Sequence, residues 1–121
     1  MHLNHLDLPV PETTRTREFF EQYFALRSVF ARADGLTVLI DEAGFALTLS
    51  PLPDGERLSY PTGFHVGFNL DSEHAVLQKH AQLAAAGVAM VRPLGELGGA
   101  LTFQCLAPGP VLVEVAWRER D

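Results

Sequence analysis

Cysteine, lysine and long hydrophobic runs are all scarce in this sequence of 121 residues. Cys105 is the only cysteine, which excludes a disulfide within the chain and makes a reducing cytoplasm the expected location. No segment approaches the roughly 20 apolar residues that a membrane-crossing helix needs. The N-terminal stretch also lacks the basic start and apolar run of a signal peptide. A membrane partner is therefore not expected.

Positive charge is sparse as well. The formal net charge is −6, and among nine lysine and arginine residues Lys79 is the only lysine. Apart from a short Arg-Glu-Arg run at the C-terminus, these residues are scattered along the chain. Proteins that bind nucleic acids need clustered positive charge to neutralise phosphates. Nucleic acid is therefore not an expected partner.

Proline and glycine divide the remaining sequence into short periodic segments. Apolar residues at helical spacing predict a helix after Thr13 or Thr14, either of which can cap it. They predict a second helix over Glu73–Ala86, capped by Ser72 and ended by Gly87 in a left-handed conformation. Alternating apolar residues predict eight strands: Leu3–Val10, Arg27–Ala33, Leu36–Asp41, Phe45–Ser50, Gly63–Leu70, Val88–Arg92, Ala100–Leu106 and Val111–Trp117.

The order of these elements is βαβββ, and it occurs twice. The predicted modules span about 1–50 and 63–118, a proline-rich linker over 51–62 joins them, and 93–99 reads as a loop. The expected fold class is α+β: one domain in which a curved mixed sheet encloses a concave cleft, with the helices outside. An ordinary α+β sandwich is the alternative, but the repeated order favours two modules.

Polar residues interrupt four of these strands on their less apolar side. If the helices cover the more apolar side, that polar side faces the cleft. The residues are at mid-strand in the first and last strand of each module: His5, Thr48, His65 and Glu114. Two imidazoles and a carboxylate suit a divalent metal such as Mn, Fe, Co, Ni or Zn. Three protein ligands also leave positions open for substrate or water.

Each of these residues has an ordinary explanation when taken singly. A histidine on a strand is more often hydrated or hydrogen-bonded than a metal ligand. Glu114 stands out because it interrupts the apolar run VLVEVAW, where a carboxylate needs a partner. The set of positions, more than any single member, predicts a metal site.

The motifs, in their order and spacing, resemble the vicinal oxygen chelate superfamily, which includes glyoxalase I, extradiol dioxygenases, fosfomycin-inactivating transferases and bleomycin-binding proteins. The resemblance implies metal ligation by His5, His65 and Glu114, with Thr48 where glyoxalase I has a further carboxylate. It also implies lyase, transferase or dioxygenase chemistry. The segments that carry it are LNHLDLPV, FFEQYFAL, FALTLS, GFHVGFNL, AAAGV and ALTFQCLAPGPVLVEVAW.

The first functional hypothesis is a metal-dependent enzyme that acts on a small oxygen-rich molecule. Glu114 and Asp7 are its predicted catalytic residues; Asp7 shares a face with His5 and could contact substrate or act as a base. The predicted substrate-binding residues are Thr48, Gly67, Thr102 and Gln104.

Two further hypotheses remain open. One is a metal-free small-molecule binding protein like the bleomycin-resistance members. The other is a non-catalytic interaction module, since the resemblance implies a homodimer and the linker would permit exchange of modules between chains. Metal content distinguishes the metal-dependent enzyme from the metal-free binding protein.

Overall fold

The computed structural model describes residues 1–119, so the last arginine of the C-terminal Arg-Glu-Arg run lies outside the described residues. The first half contains β1 (His5–Val10), α1 (Thr13–Phe24), β2 (Arg27–Ala31), β3 (Thr37–Ile40) and β4 (Ala46–Pro51). The second half contains β5 (His65–Asn69), α2 (Glu73–Ala85), β6 (Met90–Leu97), β7 (Ala100–Ala107) and β8 (Val111–Arg118).

These elements form two mixed four-stranded sheets with one helix each. The sheet orders are β1-β4-β3-β2 and β5-β8-β7-β6, and in each the first strand pairs in parallel with the last strand of its module. The predicted α+β architecture of two βαβββ modules is confirmed. By compactness the chain divides into Met1–Ser59 with Pro108–Pro110, and Tyr60–Ala107 with the residues from Val111 onward.

The core of the first unit lies between α1 and its sheet. Phe20 is fully buried beneath the helix, and its ring packs edge-on against Phe19 at a centroid distance of 5.5 Å. The predicted helix cap is wrong. Glu12 occupies the capping position without a side-chain hydrogen bond, and Thr13 already belongs to the helix. The Thr16 hydroxyl, 3.0 Å from the Glu12 carbonyl oxygen, donates within this first turn.

The second unit is built in the same way around a different helix. Val76 and Leu83 of α2 are fully buried, as is Phe103 of β7. The predicted cap is confirmed here, because the Ala75 amide donates to the Ser72 hydroxyl over 3.0 Å. Gly87, whose φ is +79°, follows the helix in the left-handed conformation that its position predicted.

The predicted loop over 93–99 is wrong for most of its length. β6 continues from Met90 through Pro93 to Leu97, with irregular register on both sides of Arg92. Proline and glycine indicated a break, but β6 is an edge strand of its four-stranded sheet. Edge strands tolerate proline because its missing N–H need not face a neighbouring strand.

The strand register makes the two units equivalent residue by residue. His5 pairs with Ala46 and Asp7 with Thr48 between β1 and β4. In the second unit, His65 pairs with Leu112 and Gly67 with Glu114 between β5 and β8. The two histidines therefore occupy the same position in their modules, as do Thr48 and Glu114.

Candidate metal centre

His65 begins β5 in the second unit, and its backbone surroundings fix its ring. Nδ1 lies 2.8 Å from the carbonyl oxygen of Gly63. A carbonyl can only accept, so we assign the proton to Nδ1, which leaves a lone pair on Nε2. The imidazole is 38% exposed. Histidines that bind metals commonly use one ring nitrogen while the other donates to a carbonyl in this way.

Glu114 lies at the middle of β8 and faces that lone pair. Its Oε2 is 3.7 Å from His65 Nε2, and its side chain is 28% exposed. A neutral imidazole with this tautomer and an ionised carboxylate are both acceptors, so a cation is what both atoms lack. Two ligands each about 2.0–2.2 Å from one ion can be at most about 4.4 Å apart. The pair therefore fits a shared divalent ion.

The other carboxylate oxygen of Glu114 is already occupied. Arg92 Nη2 lies 2.6 Å from Oε1, and Gln104 Nε2 lies 3.4 Å from the same oxygen. Gln104 belongs to the predicted set of polar residues, whereas the sequence interpretation did not include Arg92. The signal that could have found it was the need of Glu114 for a partner, together with an arginine in another strand of the same module.

These contacts determine the ionisation of Glu114. Burial acts to raise its pKa, but hydrogen bonds from Arg92 and Gln104 outweigh burial, together with the charge of Arg92 and, when its ring is protonated, that of His65. The net pKa of Glu114 is lower than the ordinary 4.5. The side chain is therefore ionised at neutral pH, which is the form that binds metals.

Two more predicted residues lie beside this carboxylate. Thr102 is only 4% exposed, and its hydroxyl donates to the Val115 carbonyl over 2.8 Å and accepts from Arg92 Nη2 at 3.2 Å. A Cβ added to Gly67 would meet only the Glu114 carbonyl oxygen, at 3.9 Å, so packing does not require a glycine there. Direct contact of Thr102 or Gly67 with a substrate stays a prediction.

The first unit contains the remaining predicted residues, whose side chains are not held by a network like that of Glu114 among the described residues. His5 is exposed, with Nδ1 2.7 Å from the side-chain oxygen of Asn4. Asp7 is also exposed and accepts a hydrogen bond of 2.6 Å from the Ser50 hydroxyl. Thr48 is half-buried on β4, opposite Asp7. These contacts leave the predicted roles of the three residues open.

Within residues 1–119, no three His, Cys, Asp or Glu side chains form a group that could hold a metal ion. What the structure brings together from the predicted ligand set is the pair of His65 and Glu114. Ligation by His5 as the third residue stays a prediction.

The paired βαβββ units define the class of fold, and comparison with known proteins gives the family. The model of the Glyoxalase/Bleomycin resistance protein/Dioxygenase superfamily matches residues 2–115. Since the match spans nearly the whole chain, the protein belongs to this superfamily. No curated protein matches the chain. Neither helix within residues 1–119 has the length and hydrophobicity to cross a membrane.

Solved structures agree with this assignment. A possible glyoxalase from Bacillus cereus is 36% identical over 95% of this chain and 97% of its own, with a TM-score of 0.84. The fosfomycin resistance protein FosX from Listeria monocytogenes is 21% identical over 98% and 91%, with a TM-score of 0.79. A lactoylglutathione lyase from Agrobacterium tumefaciens is 15% identical over 96% and 92%, with a TM-score of 0.79. The last two likenesses concern the fold alone.

Proposed function

We propose that this protein is a divalent-metal-dependent enzyme acting on a small oxygen-rich molecule. The observation that carries the proposal is the separation of 3.7 Å between His65 Nε2 and Glu114 Oε2, two acceptors that share no donor. His5 is the proposed third ligand. An ion of Mn, Fe, Co, Ni or Zn would supply Lewis-acid stabilisation of negative charge on bound oxygen atoms.

The protein groups around the ion have separate tasks in this proposal. The Gly63 carbonyl holds His65 in the tautomer that offers Nε2. Asp7, an exposed carboxylate, takes a proton from substrate as a general base. Gln104 and Thr48 contribute polar contacts to the substrate. A lyase, a transferase and a dioxygenase reaction are all compatible with this set of groups.

The proposed assembly is a homodimer, because members of the superfamily are often dimers and bind small molecules. Exchange of modules across the linker at 51–62 would let His5 of one copy complete the pair of the other copy. The proposed partner is a small-molecule substrate, without nucleic acid or membrane. A cytoplasmic location remains a prediction from composition.

Metal analysis tests the proposal. Protein purified without chelator is expected to carry about one transition-metal ion per chain, or to take one up when Mn, Fe, Co, Ni or Zn is offered. Screening small oxygen-rich molecules with the preferred metal would then identify the reaction. A protein that neither contains nor acquires any of the five metals would refute the proposal.

One observation favours a second candidate function, that of a metal-free small-molecule binding protein. Glu114 already has a counter-charge in Arg92, at 2.6 Å, so its carboxylate does not require a metal for charge balance. Calorimetric titration of bleomycin into chelator-treated protein separates the two functions. Binding that is unaffected by chelator, in a protein that acquires no metal, supports the second candidate.

A further inference from the structure

We propose that Arg92 is a positioning residue for the metal ligand Glu114. It holds Oε1, so that Oε2 alone is presented beside His65 Nε2. This inference rests on the proposed metal site and concerns a residue that the sequence interpretation did not include.

The first argument is the division of labour between the two oxygens of Glu114. Both donors to this carboxylate, Arg92 Nη2 and Gln104 Nε2, contact Oε1. Oε2 instead faces His65 Nε2, at 3.7 Å. An arginine that served only as a counter-charge would favour a bidentate fork over both oxygens. The observed contact leaves one oxygen available for a metal.

The second argument is the support behind the arginine. Arg92 Nη2 also donates to the Thr102 hydroxyl over 3.2 Å, and that hydroxyl donates to the Val115 carbonyl over 2.8 Å. Val115 follows Glu114 on β8, so the arginine is tied to the same strand as the carboxylate that it orients. Thr102 is buried, which keeps this support away from water.

The third argument is the hydrogen bond that the Nε group of Arg92 does not make. Its Nε is buried and makes no hydrogen bond with any described residue. A buried N–H without a partner is unfavourable, so the side chain is not arranged to satisfy all of its own donors. The arrangement instead places Nη2 between Glu114 and Thr102.

Groups that hydrogen-bond a metal ligand from behind typically change metal affinity by 10–100-fold when they are replaced. We therefore expect Arg92→Gln to weaken Co²⁺ binding by about 10–100-fold, measured by competition with a chromogenic chelator. Release of Oε1 would also let Glu114 bind through both oxygens. The higher coordination number should lower the intensity of the visible absorption of bound Co²⁺.

Arg118→Gln is the matched control. Arg118 lies in the same unit and donates to the Gly98 carbonyl, and the hydrogen bonds and ion pairs to Glu114 within residues 1–119 come from other side chains. It should leave Co²⁺ affinity and spectrum unchanged. Arg92→Lys should recover part of the affinity, because an ammonium can donate to Oε1 but cannot span Glu114 and Thr102 as a guanidinium does. If Arg92→Gln does not fold by circular dichroism, Arg92→Lys and Thr102→Val carry the test, each with a smaller loss.

The outcomes separate this inference from the proposed function. Wild-type protein that acquires none of the five metals overturns both. Wild-type protein that binds Co²⁺, with a folded Arg92→Gln that binds it equally well or more tightly, overturns the positioning role alone. In the second case Arg92 would be a cation that competes with the metal for Glu114.

Discussion

The same lateral row of residues crosses the sheet in both units, yet its chemistry differs. In the first unit it runs Asp7, Thr48, Val38 and Phe30 over β1, β4, β3 and β2. In the second it runs Gly67, Glu114, Gln104 and Arg92 over β5, β8, β7 and β6. In the first row the threonine lies between Asp7 and two apolar residues, whereas in the second row the carboxylate of Glu114 has hydrogen-bond donors on Gln104 and Arg92.

The difference shows what a carboxylate needs at a central strand. Glu114 has neighbouring strands on both sides. Gln104 on the adjacent strand β7 and Arg92 on the next strand, β6, both donate hydrogen bonds to it. At the corresponding positions Val38 and Phe30 have no side-chain donors, so a neutral residue, Thr48, suits the first unit. The register is the same, so the donors decide which module can hold a negative charge.

Asp7 is a carboxylate on an edge strand and can be compared with Glu114, which lies on a central strand. It lies on β1, an edge strand of its sheet, where it is exposed and accepts one hydrogen bond from Ser50. Water can solvate a carboxylate at that position, so it needs no arginine. The carboxylates therefore lie on non-equivalent strands, Asp7 on the first strand of its module and Glu114 on the last strand of the other, and of the two only Glu114 is held by a network within the described part of the chain.

The largest effects on stability are expected from the shared apolar cores. Phe20 in the first unit and Phe103 in the second are both fully buried. Phe20→Ala and Phe103→Ala should each lower the free energy of unfolding by about 3–5 kcal/mol, because each leaves a cavity. Urea denaturation measures both, with the exposed Leu77→Ala as control. A difference of several kcal/mol between the two would show that the units do not have comparable cores.

Transfer of the carboxylate to the first unit should be destabilising. Thr48→Glu places a charge beside Val38 and Phe30, which have no side-chain donors, and opposite the like charge of Asp7, and we expect a loss of about 1–3 kcal/mol. The double variant Thr48→Glu with Val38→Gln supplies a donor at the position of Gln104 and should recover part of this loss. Thermal denaturation compares the two. No loss in the single variant would contradict the role given to the donors.

Cys105, which follows Gln104 on β7 and is fully buried, predicts a pH dependence of stability. Burial raises the pKa of the Cys105 thiol from 9.0 to about 11. Between those values the unfolded chain loses the thiol proton while the folded chain retains it, so stability should fall as pH rises from about 9 to about 11. Below pH 9 the thiol is protonated in both states, so its full contribution to the stability of the folded state is retained. The fall in the free energy of unfolding with rising pH should be smaller in Cys105→Ala.

The thiol reagent DTNB checks the burial on which this prediction rests. Cys105 should react slowly at pH 8 in the native protein and fully in guanidinium chloride, because the folded structure shields the thiol from the reagent. Rapid reaction in the native protein would contradict this burial. Leu39 of the first unit occupies the corresponding buried position, where it pairs with Leu47 as Cys105 pairs with Val113.

The smallest effect is expected at Gly67. A Cβ there meets the Glu114 carbonyl oxygen at 3.9 Å, which is an ordinary contact. Gly67→Ala should therefore change the free energy of unfolding by less than about 0.5 kcal/mol. Substrate affinity should fall if the space above Gly67 receives substrate, and a binding titration measures this. A large loss of stability would instead make Gly67 a structural residue.

Much of the fold could be predicted because it is encoded locally. Alternation in GFHVGFNL and VLVEVAW located β5 and β8, and Ser72 and Gly87 marked the ends of α2. The continuation of β6 through Pro93 was missed because tolerance of proline depends on being at the sheet edge. That property belongs to the assembled sheet.

The candidate site could be predicted only in part for the same reason. His65 and Glu114 were identified from the side of the strand on which each lies, and the register brings them together. Arg92 was missed because the irregular register of β6 decides which residue reaches Glu114. Strand alternation alone does not show such a shift.

The central proposal is that His65 and Glu114 of the second unit supply two of the three protein ligands of a metal site. Titration of Co²⁺ into metal-free protein tests it most directly, with wild type, Glu114→Gln and Thr48→Val compared under the same conditions. Wild type and Thr48→Val should bind alike, and Glu114→Gln should bind more than about 100-fold more weakly, beyond the range of an outer hydrogen-bonding group. Equal binding by Glu114→Gln and wild type would contradict the claim.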